Sequence, residues 1–267
     1  MLEQDSRYYA QASKVPMLEP ADSSECKNYV KEAFKISEIY DTPVIIRLTT
    51  RIAHSQSIVE INEKENYILK DYKKDFNKYV MMPAMARKRH IEVEKRMSLL
   101  KEFSNKSDLN KIELRNKDIG IITSGIAYQY SKEVFSDASY LKLGMVYPLP
   151  IDLIKEFAKQ VKTLYVIEEL EPFIENEIKK YGIKVVGKEL LPVLGELSAK
   201  IIKDKILGAD EVSIANTKID LKTPIRPPVM CPGCPHRGLF YVLNKLKLIV
   251  TGDIGCYTLG ALPPLES

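Results

Sequence analysis

The sequence has few cysteines and no long apolar run, and each absence excludes a class of protein. Four cysteines in 267 residues are too few and too unevenly placed for a disulfide-stabilised scaffold. No stretch approaches the roughly 18 consecutive apolar residues that a membrane-spanning helix needs, and residues 1–7 lack the apolar core of a signal peptide. We therefore expect a cytoplasmic protein that does not associate with a membrane.

The sequence also lacks a block of like charge, which gives no support for a nucleic-acid partner. The formal net charge is +4, from 40 basic and 36 acidic residues, and lysines alternate with glutamates along the chain. The composition is 45% hydrophobic and 28% charged, which is typical of globular proteins. At this length, two or three folded units are expected.

Strand and helix signals alternate regularly between residues 117 and 205. Short β-branched runs at residues 118–123, 141–146, 163–168 and 183–186 alternate with helical patterns that begin near residues 127, 151 and 172. Such repetition predicts right-handed crossovers and a mostly parallel sheet with helices on both faces. The expected fold class is therefore α/β.

Two motifs follow strands of this region. Ser124-Gly125 is a tight turn into a helix; we expect a plain turn, and a cradle for an anion is the alternative. An acidic cluster, Glu168, Glu169 and Glu171, follows a later strand. These carboxylates are expected to stabilise the N-terminus of the next helix, and acid–base or metal chemistry is the alternative.

The first sixty residues predict a helix followed by a strand. Asp22 is expected to cap the helix, with Glu25 reciprocating the cap. An apolar stripe at helical spacing consists of Cys26, Tyr29, Val30, Ala33 and Phe34. Residues 43–49 predict a buried strand at the centre of a sheet. Because ligands bind at the carboxyl ends of strands in open α/β sheets, Arg51 and His54, which follow directly, are candidates for a substrate site.

Residues 60–116 have the character of a charged connecting arm. Pro83 suits the first turn of a helix that extends to about Phe103. The charges indicate a solvated helix face. Sparse apolar positions are expected to pack on a neighbouring element, namely Ile91, Met97 and Leu100.

Three of the four cysteines lie near the C-terminus, after a proline-rich linker at residues 208–228. Cys231 and Cys234 are separated by Pro and Gly, which lets both sulfurs face one metal ion or cluster. A third thiol, Cys256, follows one predicted helix and one predicted strand at residues 248–251. The spacing therefore indicates a metal or iron–sulfur site.

Alternatives remain for these thiols. In a zinc site His236 is the candidate fourth ligand. A thiol–disulfide function of Cys231 and Cys234 is weaker, because no thioredoxin-like strand precedes them and Cys256 would be unexplained. Structurally packed or merely reactive thiols are the remaining interpretation.

The C-terminal motifs resemble a known family. The strings are Arg226-Pro-Pro-Val-Met-Cys231-Pro-Gly-Cys234-Pro-His236-Arg237 and Gly252-Asp253-Ile-Gly-Cys256-Tyr257-Thr-Leu-Gly260. They are similar, almost residue for residue, to the thiamine-diphosphate module of the indolepyruvate:ferredoxin oxidoreductase alpha subunit, a thiamine-diphosphate-dependent 2-oxoacid:ferredoxin oxidoreductase. Residues 3–20 and the Thr49-Thr-Arg51 and His54-Ser55 motifs resemble the end of that family's pyrimidine-binding domain.

The resemblance implies a thiamine-enzyme-like α/β architecture in four parts. Residues 1–59 would form the C-terminal part of the pyrimidine-binding domain and residues 60–116 the charged arm. Residues 117–207 would form a complete domain of the transketolase C-terminal type. Residues 208–267 would contain the linker and the start of the diphosphate-binding domain.

The resemblance also implies a reaction: oxidative decarboxylation of an aryl pyruvate such as indolepyruvate to an acyl-CoA, with electrons passing to ferredoxin. The implied cofactors are thiamine diphosphate, Mg²⁺ and [4Fe-4S] clusters, coenzyme A is the co-substrate, and the partners are the beta subunit and ferredoxin. The implied cofactor residues are Gly252, Asp253, Ile254, Gly255, Cys256, Tyr257 and Thr258. His236 and Arg237 would face substrate or diphosphate, and Cys231, Cys234 and Cys256 would bind the cluster.

Relative to this family, the chain is expected to be an internal fragment or a split gene product. The residues that hold magnesium and the diphosphate would lie beyond Ser267, and the glutamate that activates the aminopyrimidine before Met1. The isolated chain is therefore expected to be inactive. The alternative is a non-catalytic metal- or cluster-binding α/β scaffold that needs a partner chain.

Overall fold

The protein, seen in a computed structural model, is described for residues 4–61, 71–208, 224 and 228–267. It divides into two compact units, residues 1–212 and residues 213–267. Most of the predicted linker and part of the predicted arm lie outside the described residues. The four-part division into residues 1–59, 60–116, 117–207 and 208–267 stays a prediction.

Helices and strands alternate along the first unit. Its helices are α1 (Arg7–Ser13), α2 (Ser23–Tyr40), α3 (Thr50–His54), α4 (Phe76–Tyr79), α5 (Pro83–Lys106), α6 (Gly125–Val134), α7 (Ile151–Ala158), α8 (Phe173–Lys179) and α9 (Ala199–Leu207). Its strands are β1 (Met17–Leu18), β2 (Ile45–Ile46), β3 (Lys111–Glu113), β4 (Asn116–Ser124), β5 (Ala138–Leu143), β6 (Met145–Tyr147) and β7 (Thr163–Ile167). None of the helices in the described ranges is long and apolar enough to cross a bilayer.

A four-stranded sheet in the order β3-β5-β4-β7 forms the larger layer. Strand β4 pairs in parallel with both β5 and β7, as the alternation of strand and helix signals predicts, so the α/β class is confirmed. Strand β3 pairs antiparallel with β5 and was absent from the prediction. The predicted strand at residues 183–186 is reduced to one parallel bridge between Tyr165 and Val186.

A second, three-stranded sheet in the order β2-β1-β6 corrects two predictions. The expected central strand at residues 43–49 is only two residues long, Ile45–Ile46, and it lies half-buried at the sheet edge. The expected strand at residues 141–146 is broken at Gly144, so that β5 and β6 belong to different sheets. The break has a tertiary cause: the Gly144 N–H donates to both the Leu109 carbonyl and the Asn110 Oδ1 atom, at 3.1 and 3.0 Å.

Helix α2 begins as predicted, and Tyr29 and Ala33 of the predicted stripe are buried, but Val30 and Phe34 are exposed. The Asp22 carboxylate accepts a 2.8 Å hydrogen bond from the Glu25 N–H, while Glu25 reaches back to the Ala21 N–H at 2.9 Å. The buried side chains are Tyr29, Ala33 and Ile36. Phe34, expected in the apolar stripe, is 68% exposed, because the contacting core lies along the i, i+4, i+7 positions that begin at Tyr29.

Helix α5 confirms the predicted start at Pro83 and ends at Lys106. It contributes Met97 and Leu100 to a core cluster shared with α2 and β6, whereas Ile91 is 57% exposed. Only the C-terminal half of the helix is therefore anchored by apolar burial.

The described residues of the second unit include the helices α10 (His236–Lys245) and α11 (Cys256–Gly260). Helix α10 confirms the helix predicted there. The strand predicted at residues 248–251 is wrong, because these residues are outside any strand and Ile249 is 99% exposed. The run has no neighbouring strand among the described residues, and the Leu248 N–H instead donates to the Leu243 carbonyl at 3.2 Å, so β-propensity alone does not produce a strand.

Candidate functional site

The Cys231–Cys234 segment forms a tight turn immediately before α10. Gly233 has φ +75°, a left-handed conformation that glycine adopts without steric cost. The Cys234 N–H donates to the Cys231 carbonyl at 3.2 Å, and the Arg237 N–H donates to the Cys234 carbonyl at 3.2 Å. The turn leaves Cys231 exposed and Cys234 half-buried.

His236 connects this turn to the second motif. Its Nδ1 atom lies 3.4 Å from the Cys234 sulfur. Its ring packs edge-on against Tyr257, with 5.5 Å between ring centroids, and both rings contact Phe240. The structure thus brings His236 and the 252–258 motif together, as expected of residues that share a site.

Arg237 fixes the turn. Its Nη1 atom donates to the carbonyls of Met230 and Cys231, at 3.4 and 3.5 Å. Met230 is buried, so the guanidinium links the exposed Cys231 to a buried neighbour in the chain. In this arrangement the guanidinium contacts backbone of the cysteine turn, and its expected role toward substrate or diphosphate stays a prediction.

The Gly252–Gly255 loop is closed by one hydroxyl. Thr258 Oγ1 donates to the Asp253 carbonyl at 3.1 Å and accepts from the Gly255 N–H at 3.2 Å. Helix α11 starts at Cys256 and ends against Phe240, where a Cβ at Gly260 would come within 2.9 Å of the ring. The close packing of α10 on α11 therefore depends on glycine at position 260.

A cavity of about 480 Å³ lies between these elements. It is lined by Leu239, Phe240, Leu243, Val250, Thr251, Gly252, Asp253, Tyr257, Thr258, Ala261 and Ser267. An apolar wall with a few polar groups in this size range is typical of small-molecule sites. Four of the seven predicted cofactor residues line it; Ile254, Gly255 and Cys256 do not.

The predicted metal ligands are not gathered in this structure. Among the described residues there is no group of three His, Cys, Asp or Glu side chains placed to hold a metal ion. Cys231 and Cys256 are both exposed. The assignment of Cys231, Cys234 and Cys256 to a cluster therefore stays a prediction, and no chemical step is derived from it.

A second cavity, of about 380 Å³, lies in the first unit at the carboxyl ends of β2 and β7. It is lined by Gln4, Ser6, Arg47, Leu48, Thr49, Thr50, Arg51, Glu169, Leu170, Gly195 and Glu196. Arg51, a predicted substrate residue, donates from Nε to Glu196 at 2.6 Å. His54 is exposed at the end of α3 and is not part of the lining.

Buried charges lie behind this second cavity. Arg7 is 1% exposed and binds Asp5 and Glu168, each at 2.5 Å. Burial opposes the charged guanidinium, yet Glu168 and Asp5 raise the pKa of Arg7 above its ordinary value. The segment before α1 is thereby joined to the end of β7.

Glu168 confirms the expected role of the acidic cluster. Its two carboxylate oxygens accept hydrogen bonds from the Ile174 and Glu175 N–H groups, both at 3.0 Å, at the N-terminus of α8. Burial raises the pKa of Glu168, while Arg7 and these N–H groups act in the opposite direction. Burial likewise raises the pKa of Glu169, which accepts from the Leu197 N–H at 3.0 Å.

The Ser124-Gly125 turn contacts a carboxylate of the chain itself. Ser124 Oγ donates to Glu19 at 3.1 Å, and Glu19 also pairs with buried Arg47. A Cβ at Gly125 would lie 2.6 Å from a Glu19 oxygen. The turn thus packs tightly on the Glu19 carboxylate of the chain itself. It is a turn into a helix, as expected, and the anion that it contacts is a side chain and not a bound ligand.

Sequence reasoning missed the buried ion pairs and the apolar cavity wall. Arg7 and Glu168 are 161 residues apart, and no local pattern connects them. The wall residues Leu239 and Leu243 could have been predicted from the sequence, because they are four residues apart on the predicted helix and therefore share a face with Phe240.

No protein-family model matches the chain. It is 36% identical over 99% of its length to indolepyruvate oxidoreductase subunit IorA of Methanothermobacter marburgensis, covering 47% of that protein. It is 33% identical to IorA of Archaeoglobus fulgidus and 35% identical to IorA of Pyrococcus abyssi, over 99% of the chain and 46% of each relative. The chain therefore spans about half the length of these relatives.

Two solved structures are similar over 72% of the chain. One is a 2-oxoglutarate:ferredoxin oxidoreductase from Magnetococcus marinus, with TM-score 0.49, 14% identity and 42% of that chain covered. The other is a split-gene transketolase, with TM-score 0.37, 17% identity and 53% of that chain covered.

Proposed function

We propose that this chain, which is related over 99% of its length to the IorA subunits of indolepyruvate oxidoreductases, is part of such a subunit and serves the same reaction. The observation that carries the proposal is the identity of 33–36% over 99% of the chain. The proposed substrate is an aryl pyruvate such as indolepyruvate, and the proposed acceptor is ferredoxin.

The proposed reaction conserves atoms and charge. An aryl pyruvate anion and coenzyme A give carbon dioxide and an acyl-CoA with one carbon fewer in the acyl group. Two electrons pass to ferredoxin and one proton is released. The proposed assembly pairs this subunit with a beta subunit, and Mg²⁺ and [4Fe-4S] clusters complete its set of cofactors.

The cavity of the second unit fits a role in holding thiamine diphosphate, which supplies the carbanion chemistry of this enzyme class when bound. Phe240, 4% exposed, and the neighbouring Leu239 and Leu243 give the cavity an apolar wall. Thr258 holds the Gly252–Gly255 loop in one conformation. A backbone loop without side chains at its glycines allows a ligand to approach closely.

Activity of the complete subunit together with its partner subunit tests the proposal. Reduction of ferredoxin is measured with indolepyruvate and coenzyme A, after addition of thiamine diphosphate and magnesium. We expect reduction that requires both substrates and is faster with indolepyruvate than with pyruvate or 2-oxoglutarate. No 2-oxoacid-dependent reduction by a complex that contains bound cofactors would refute the proposed function.

We predict that Tyr257→Ala weakens binding of thiamine diphosphate to the assembled enzyme about tenfold, or about 1.4 kcal/mol. The substitution removes the ring that lines the cavity and contacts His236 and Phe240. Isothermal titration calorimetry measures the affinity. The matched control is Tyr241→Ala, on the same unit but outside the cavity lining and 61% exposed, which should change the affinity by less than about twofold. Equal effects of both substitutions would contradict the assignment of the cavity.

A further inference from the structure

An exposed apolar surface precedes helix α5. It consists of Tyr72, Phe76, Tyr79, Val80, Met81 and Met82, and we call it the Tyr72–Met82 surface. These side chains are between 37% and 79% exposed. The rings of Tyr72 and Tyr79 lie 6.3 Å apart between their centroids, and Lys73, Lys74 and Lys78 stand between the apolar residues. Grouped apolar side chains bordered by charges are typical of interaction sites.

The Asp41 carboxylate links the segment that carries this surface to helices α2 and α5. Asp41, at the end of α2, accepts from Lys78 at 2.6 Å and from Arg89 at 3.2 Å, and Arg96 lies 4.0 Å away. The hydrogen bond from Lys78, with a further one from Arg89, lowers the pKa of Asp41 despite partial burial. Three cations therefore converge on one anion, which leaves local positive charge in excess.

The whole segment around the surface is basic. Residues 71–90 contain six Lys or Arg and two Asp. The excess is as large as the net charge of the complete chain, +4. A partner that binds here must therefore offer carboxylates around an apolar centre, because like charges facing each other are costly.

We infer that the Tyr72–Met82 surface docks another polypeptide with an acidic rim, namely the partner subunit of the oxidoreductase. This inference rests on the proposed function for the identity of the partner. A protein fits better than a lipid headgroup layer, since aromatic and methionine side chains are enriched at protein interfaces and methionine adapts to irregular partner surfaces. Lys78 and Arg89 are also held at defined positions by Asp41, which suits a protein partner whose carboxylates have defined positions.

Binding of the complete subunit to its partner subunit tests the apolar contribution. We expect the double variant Tyr72→Ala/Met81→Ala to raise the dissociation constant at least tenfold, mainly by faster dissociation. The matched control is Phe34→Ala/Leu194→Ala, which removes two side chains that are 68% and 78% exposed elsewhere on the first unit. The control should leave the dissociation constant within about twofold of the wild type.

The basic contribution is tested with Arg87→Glu/Lys88→Glu, against Lys159→Glu/Lys203→Glu as a control of equal charge change. Arg87 and Lys88 are exposed residues of α5. We expect slower association and a smaller effect of added salt for the first pair only, since rim charges act mainly on association. Equal effects of the two pairs would overturn the inference.

Other outcomes also decide the question. Absence of binding between the wild-type subunits, or an unchanged dissociation constant in Tyr72→Ala/Met81→Ala, would overturn the inference. The inference would also be overturned if the wild type bound phosphatidylserine vesicles and Tyr72→Ala/Met81→Ala did not, because the surface would then bind lipid. It would likewise be overturned if the wild type self-associated and this variant did not, because the surface would then bind a second copy of the chain. Complex formation is measured without turnover. A weakened variant complex in an inactive enzyme would therefore support this inference while the proposed function fails.

Discussion

Replacing Arg7 with leucine is expected to lower the free energy of unfolding by about 3–5 kcal/mol. Arg7 is 1% exposed and is the counter-ion of Asp5 and Glu168. Its removal leaves the Glu168 carboxylate buried without a directly bonded cation, compensated by two backbone N–H groups and the nearby charge of Lys188. Urea unfolding followed by circular dichroism measures the change.

The penalty should depend on pH in a defined direction. Burial already raises the pKa of Glu168 in the native protein, and the loss of Arg7 raises it further. A raised carboxyl pKa in the folded state favours folding at low pH, and this contribution is lost as pH rises through the folded-state value. The difference between Arg7→Leu and wild type should therefore be smaller at pH 5 than at pH 8.

Two controls distinguish loss of the buried ion pair from a nonspecific loss of stability. Arg51→Leu removes an exposed pair with Glu196, whose side chains are 61% and 43% exposed, and should cost less than about 1 kcal/mol. The double variant Arg7→Leu/Glu168→Gln should recover part of the loss, because it no longer buries an unpaired charge. A loss in Arg7→Leu no larger than in Arg51→Leu would show that the buried pair is unimportant.

Gly125→Ala is expected to destabilise the fold by about 2–4 kcal/mol. Gly125 has φ +53°, and an added Cβ would lie 2.6 Å from a Glu19 oxygen. Glu19 is 4% exposed and pairs with buried Arg47, so it can move only by disturbing that pair. Thermal and urea unfolding of the purified variant measure the change.

Gly182→Ala is the matched control for backbone strain. Gly182 also has positive φ, +75°, but an added Cβ would meet nothing within 4 Å. It should therefore show only the conformational cost, about 1 kcal/mol. If Gly125→Ala and Gly182→Ala lowered the free energy of unfolding equally, the contact with Glu19 would not contribute to the loss in Gly125→Ala.

The regular part of the fold could be predicted from sequence because its signals are local. Strand β4 is a run of β-branched and apolar residues, and the helix that follows has its own periodicity. The cap at Asp22 and the proline at the start of α5 also identified helix N-termini within a few residues. In each case the residues that decide the structure are neighbours in sequence.

The second sheet could not be predicted, because its strands depend on distant partners. Strands β1 and β2 are two residues long, which is too short for a periodic pattern. The break at Gly144 depends on hydrogen bonds that the Gly144 N–H donates to residues 109 and 110. A continuous apolar run therefore looked like one strand, although the chain passes from one sheet to another within it.

The candidate site was predicted in part. The motifs identified Gly252, Asp253, Tyr257 and Thr258, which line one cavity with α10. Motifs are local strings, so they contain no information about Arg237 bonding the cysteine turn or about the ion pairs behind the other cavity. Those contacts exist only once the backbone has folded.

The position of β1 has a consequence for the integrity of the chain. This strand, from the first twenty residues, lies between β2 and β6, and the nearby Arg7 is bonded to Glu168. A protease that cuts at the 96% exposed Ile58 would therefore leave two pieces held together by the β1–β6 pairing and the Arg7–Glu168 ion pair. The nicked protein should run as two bands under denaturing conditions and as one species in gel filtration, and the two pieces produced separately should reassemble by fragment complementation.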